Sequence, residues 1–205
     1  YNLYGRRDNK YKARIKILLH EEGDENFRRD VEAEYERIGP PQHLVPADEL
    51  ARIEAYFAPP TYDDLPDQDP QLEHTQKANA AFRTWHEVNV AAHKQRGYAI
   101  VNISLKPEGG IPGDATGDDM RAVADLADQY SHGEIRVSHA QNLVLPYVRK
   151  RDLVALWHGL VKAKLATANV GLVADIIACP GLDYCALATA RSIPIAQALS
   201  VKFAD

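Results

Sequence analysis

The sequence is poor in sulfur. Among 205 residues there are two cysteines, Cys179 and Cys185, and a single methionine, Met120. A small secreted scaffold is stapled by several bridges, so this count excludes a disulfide framework and favours reduced thiols. With its one methionine internal, the chain is expected to be processed or to be a piece of a longer protein. Long apolar runs are missing as well. The longest, from Val170 to Ala178, is interrupted by Asp175 and is far too short to cross a bilayer. The opening YNLYGRRDNK lacks the hydrophobic core of a secretory signal. A cytoplasmic protein with no membrane partner is the expectation. A net charge of -5 argues against a general nucleic-acid binder, because duplex affinity comes from phosphates neutralised by Lys and Arg. The glycines of PEGGIPGDATG have neither the G-x-G-x-x-G spacing nor the Lys-Ser/Thr ending of a phosphate-binding loop, and predict an ordinary turn.

What is present is globular: 45% hydrophobic and 26% charged residues, enough for one large domain or two small ones. Charge is distributed unevenly. Six basic residues lie between Arg6 and Lys16 against Asp8 alone, whereas residues 58–70 hold four prolines and four aspartates. The first is a candidate cationic site, the second a linker or long surface loop. From Tyr11 to Leu19 apolar and basic residues alternate, which predicts a β-strand with Lys10, Lys12, Arg14 and Lys16 on one face. Helices are expected over 25–38 and 47–57, ended by Gly39-Pro40-Pro41 and Pro59-Pro60, and a weaker one over 75–92 around Phe82, Trp85 and Val88.

A more regular pattern follows. GYAIVNISLK (97–106) reads as a strand. Thr116 and Asp119 form a capping pair for a helix carrying Val123, Leu126, Ala127 and Tyr130. EIRVSH and LVLPYV read as strands around an Ala140-Gln141-Asn142 turn, and 150–165 as a helix with Leu153, Leu156, Trp157 and Leu160 on one face. The order β-α-β-β-α is most of a ferredoxin-like α/β sandwich. A last helix is expected from Asp183 to Ser200, kinked or shortened by Pro194.

Three stretches carry candidate chemistry. In CPGLDYC, a turn would hold one thiol and a helix N-terminus the other, where unpaired N-H groups favour a thiolate. That suits a soft metal or an iron-sulfur cluster, yet a [4Fe-4S] cluster or structural zinc takes four protein ligands; two buried thiols or one disulfide are the plainer readings. His132 or His139 completing a two-cysteine metal site is a further alternative. The lysines of KYK, about 6.6 Å apart on a strand face, are either a solvated edge or an anion pocket whose ammonium groups stabilise an oxyanion and supply protons. In RVSHAQN, Arg136 could pair with a carboxylate and Gln141 and Asn142 could donate amide hydrogens to one, although Asn is common in turns for conformational reasons alone.

Their order along the chain is more telling than any one of them. GRRDNKYKARIKI, then the β-α-β-β-α unit with IRVSHAQNLVLPYV, then IIACPGLDYCALATARSIP, resembles the nitrite and sulfite reductase hemoproteins. The resemblance implies siroheme and a [4Fe-4S] cluster in the parent protein. It also implies six-electron reduction of sulfite to sulfide or nitrite to ammonia, with electrons from a ferredoxin or a flavoprotein reductase. By position, it implies that Cys179 and Cys185 are the first cluster-ligand pair, that Lys10 and Lys12 bind the substrate anion, and that Arg136, Gln141 and Asn142 fall in the block contacting siroheme. The family's second cysteine pair, C-x3-C, is absent from these residues. The resemblance therefore divides the chain into part of a first siroheme-binding domain (1–57), an acidic linker and helix (58–95), a ferredoxin-like half-domain (96–166) and the start of a second siroheme/[4Fe-4S]-binding domain (167–205). It implies a chain that alone retains neither cofactor and does not turn over. The rival expectation is a non-catalytic ferredoxin-like interaction module with incidental cysteines.

Overall fold

The computed structural model of the protein describes residues 3–39 and 44–204. The chain divides into two compact units, 1–59 and 60–205.

The first unit holds α1 (Ile15–Glu22), α2 (Asp24–Ile38) and α3 (Ala47–Tyr56). Asp24 and Glu25 open α2 and Asp48 and Glu49 open α3, where carboxylates meet the unpaired N-H groups of a first turn. Gly39, at φ +83°, ends α2; Pro40 and Pro41 of the expected breaker lie outside the described residues. The strand expected over Tyr11–Leu19 is not formed. Lys10, Tyr11 and Lys12 lie in a turn, in which the Tyr11 N-H donates to Asn9 Oδ1 at 3.0 Å and the Lys12 N-H to the Asn9 carbonyl at 2.9 Å. Asn9 offers the backbone a local partner in place of a ladder. From Ile15 onward, Ile15, Leu18 and Leu19 also satisfy the helical i, i+3, i+4 spacing. Leu18, 3% exposed, is the only buried side chain among the described residues of this unit.

In the second unit, residues 60–69 carry no regular structure. Then come α4 (Pro70–Ala78), α5 (Ala80–Asn89), β1 (Val90–Ala92), β2 (Tyr98–Ile103), α6 (Gly117–Tyr130), β3 (Arg136–Val137), β4 (Leu143–Arg149), α7 (Leu153–Lys162) and α8 (Ile193–Lys202). The expected helix over 75–92 is interrupted at Asn79. The Asn79 side chain accepts the Phe82 N-H at 3.0 Å and so caps a new helix. The strands form one antiparallel sheet, in order β1-β2-β4-β3. β2-α6-β3-β4-α7 is the expected β-α-β-β-α order, and the fold is α/β with a ferredoxin-like half-domain.

The core lies between sheet and helices. Phe82, Trp85, Val101, Ile103, Val123, Leu145, Leu153, Leu156 and Leu160 are almost wholly buried, each contributing about 1.5–3 kcal/mol by leaving water. At the head of α6, Thr116 Oγ1 accepts the Asp119 N-H and the Asp119 carboxylate accepts the Thr116 N-H, the reciprocal cap read from the sequence.

The acidic loop is tied down along its length. Asp63 accepts from Arg149 at 2.8 Å, Asp64 from Arg96 at 2.7 Å and Asp67 from Lys150 at 2.6 Å, while the Asp63 N-H donates to the Tyr98 hydroxyl. Gly97, at φ +77°, lies beneath it; a Cβ there would come within 2.5 Å of Leu65 Cβ.

Candidate functional site

Lys10 and Lys12 belong to the first unit. Both are exposed, and Lys10 Nζ stands 5.2 Å from the centroid of the Tyr11 ring. Nearby, Arg6 clasps Asp8 through Nε and Nη2 at 2.8 Å each, and that bond holds the Asp8 carboxyl below its usual range. The lysines thus stand on a turn braced by Asn9.

The remaining candidates lie in the second unit. Cys179 is exposed and Cys185 half-buried, and both are free thiols. The helix expected to begin near Cys185 starts at Ile193. Pro194 sits in its first turn, where a missing N-H breaks no helical bond. Cys185 therefore occupies a turn. Its N-H donates to the Gly181 carbonyl at 2.8 Å, behind a single 3-10 turn over Gly181–Asp183. Gly181 has φ +59°, and a Cβ there would come within 2.7 Å of the Ala190 carbonyl, which accepts the Leu182 N-H at 3.1 Å.

What holds this loop comes from the turn between β3 and β4. Gln141, at φ +55°, donates from Nε2 to the Ala178 carbonyl at 2.9 Å and accepts the Ala178 N-H on Oε1 at 3.0 Å. On the far side, Ser192 Oγ donates to the Cys179 carbonyl. Both carbonyls flanking the Cys179 N-Cα bond are thereby engaged by side chains. Gln141, Ala178, Pro180, Tyr184 and Ile193 border an open hollow of about 260 Å³ beside the loop.

Below this turn lies a buried ion pair. Lys106 and Asp175, with side chains 2% and 8% exposed, meet at 2.6 Å. Lys106 Nζ also donates to Asn142 Oδ1 at 3.1 Å and to the Ala140 carbonyl. Asn142 Nδ2 donates to Asp175 Oδ1 at 3.0 Å, and Asn142 Oδ1 also accepts the Leu105 N-H. The Gly171 N-H donates to Asp175 Oδ2 at 2.9 Å. Desolvation works to raise the Asp175 pKa; the Gly171, Lys106 and Asn142 bonds outweigh it and hold the carboxyl below its usual range. The cluster fastens the segment before the cysteines to the end of β2.

The amide donors of Gln141 and Asn142, expected to face a cofactor carboxylate, are thus engaged within the chain. Arg136 is exposed. It donates from Nε to Glu134 and from Nη2 to the Tyr147 hydroxyl at 2.9 Å, and its pKa is raised first by Glu134. His139 is exposed, and His132 stacks against Tyr98 and meets Tyr147 edge-on. Among the described residues no group of three or more His, Cys, Asp or Glu side chains could hold a metal ion, so neither histidine completes a site with the cysteines. A [4Fe-4S] cluster takes four protein ligands. The donor set here fits half of such a site and not a whole one. The Lys106–Asp175 pair and the Gln141–Ala178 bonds have no local signal, though Asp175 interrupts an apolar run.

Residues 93–163 match the nitrite/sulfite reductase ferredoxin-like half domain. The chain is 28% identical over 90% of its length to the chloroplastic ferredoxin–nitrite reductase of Betula pendula. It is 27% identical over 97% of its length to the ferredoxin–nitrite reductase of Synechococcus elongatus. It covers 26% and 32% of those relatives, so it spans between a quarter and a third of their length. Among solved structures it resembles the Mycobacterium tuberculosis NirA protein, with a TM-score of 0.53 and 25% identity, over 97% of this chain and 30% of that one. The resemblance to nitrite and sulfite reductases is therefore borne out, within the half domain by the family model and along nearly the whole chain by relatives.

Proposed function

We propose that this chain is a portion of a nitrite- or sulfite-reducing hemoprotein that draws electrons from a ferredoxin, with a flavoprotein reductase as the alternative donor. The observation that carries the proposal is the likeness to ferredoxin–nitrite reductases over 90% and 97% of the chain. The names of these relatives favour nitrite over sulfite. Siroheme and a [4Fe-4S] cluster would supply the electron-transfer chemistry where bound. This chain would contribute two of the cluster's thiolate ligands, Cys179 and Cys185. Lys10 and Lys12 would bind the oxyanion and hand protons to its oxygens as they leave as water. Arg136 would give up Glu134 for a cofactor carboxylate, an exchange that costs little at an exposed site. The segment alone, with half a ligand set, would hold neither cofactor and turn over nothing. Among the described residues no helix is long and apolar enough to cross a membrane.

The test uses the complete reading frame that encodes these residues, loaded with both cofactors and driven by reduced methyl viologen. Nitrite consumption is expected, and Lys10→Ala with Lys12→Ala should lower kcat/KM by about 10²–10³-fold, the usual loss on removing donors from an oxyanion. Undiminished turnover would remove the lysines from the site. No reduction of either anion would leave the non-catalytic ferredoxin-like module.

A further inference from the structure

Gln141 lies 37 residues before Ala178 in sequence, yet its amide binds both the N-H and the carbonyl of that residue. This two-point grip mimics one rung of a β-ladder and fixes the peptide plane entering Cys179. The peptide leaving Cys179 is fixed by Ser192, and Gly181 admits the tight passage beneath Ala190. The turn that carries Gln141 is itself held by Asn142, Lys106 and Asp175. An exposed loop with two thiols has no packing reason to be gripped at both peptides around one cysteine. A ligand loop does, since thiolates held in place before a metal arrives lose less freedom when it binds.

We propose that Gln141 is a positioning residue that presets Cys179 and Cys185 as a paired thiolate ligand for a soft metal. The proposal rests on the reading of these cysteines as metal ligands, and it assigns Gln141 a role through the Ala178 peptide instead of contact with a cofactor.

The test is titration of the chain with Cd²⁺ alone under anaerobic conditions, followed by cadmium–thiolate charge-transfer absorbance. The wild-type chain is expected to bind with a band that Cys179→Ser and Cys185→Ser each diminish. Gln141→Asn keeps a residue that tolerates positive φ but cannot reach Ala178; Gln141→Gly frees the backbone and removes the amide. Both are expected to bind Cd²⁺ about tenfold more weakly, a loss of about 1.4 kcal/mol. Tryptophan emission should stay native, since Trp85 and Trp157 report the core and not the loop. Wild-type affinity in either variant would overturn the positioning role while leaving the cysteines as ligands. A band that neither serine variant affects would overturn the ligand assignment itself, and the positioning role with it.

Discussion

Each of the two units is stabilised internally by different forces. The second keeps Trp85, Val101, Ile103, Leu145 and Leu156 at 1% exposure or less, whereas Leu18 is the only buried side chain among the described residues of the first. The first unit instead relies on local terms: carboxylates at helix starts, a turn tied by Asn9, and exposed i, i+3 pairs such as Glu34–Arg37 and Glu49–Arg52. Such pairs are worth little in water. The lysines of the proposed anion site therefore stand on locally braced backbone, and the cysteines on a loop anchored to a core. A long side chain carrying a point charge tolerates a soft base; a ligand set with fixed geometry does not.

Both tryptophans belong to the second unit, so tryptophan-monitored unfolding separates the two. The largest effect is expected from Asp175→Ala, which strands the buried Lys106 ammonium. It should cost about 3–5 kcal/mol in urea unfolding. Because the native Asp175 carboxyl is depressed, its contribution is complete above the unfolded carboxyl value of about 3.9 and fades as pH falls through the lower, folded one. A variant that loses stability to acid as steeply as the wild type would show that this pair is not the acid-sensitive anchor. Next, Leu145→Ala should cost about 2–5 kcal/mol, while Leu18→Ala should leave the tryptophan transition where it is. A shift from Leu18→Ala would break the comparison by showing that the units unfold as one. Among the substitutions expected to move this transition, Thr116→Ala has the smallest effect, about 0.5–2 kcal/mol.

Much of the half-domain was legible because its signals are local. The Thr116–Asp119 cap, the apolar run of β2 and the spacing of Leu153, Leu156, Trp157 and Leu160 each act within a few residues. The strand expected over Tyr11–Leu19 misled because Lys-Tyr-Lys-Ala-Arg-Ile-Lys-Ile alternates with period two while Asn9 sets a turn and Ile15, Leu18 and Leu19 also repeat as a helix. Of the two effects expected of Pro194, a kink or a shortening, the structure has the second: the helix starts at Ile193 with Pro194 in its first turn. The site was legible only as residue types. Lys106 and Asp175 are 69 residues apart in sequence, and Gln141 and Ala178 are 37 apart; pairings at that range come from topology, which no window along the chain contains.

The sheet ends on both sides in stubs, three residues at β1 and two at β3, with the six and seven residues of β2 and β4 enclosed between them. A foreign strand arriving at either margin would find room for a bond or two and then nothing. Lateral growth into fibrils is thereby denied a template, although the two inner segments, rich in Val, Ile, Leu and Tyr, would be prone to it if laid bare.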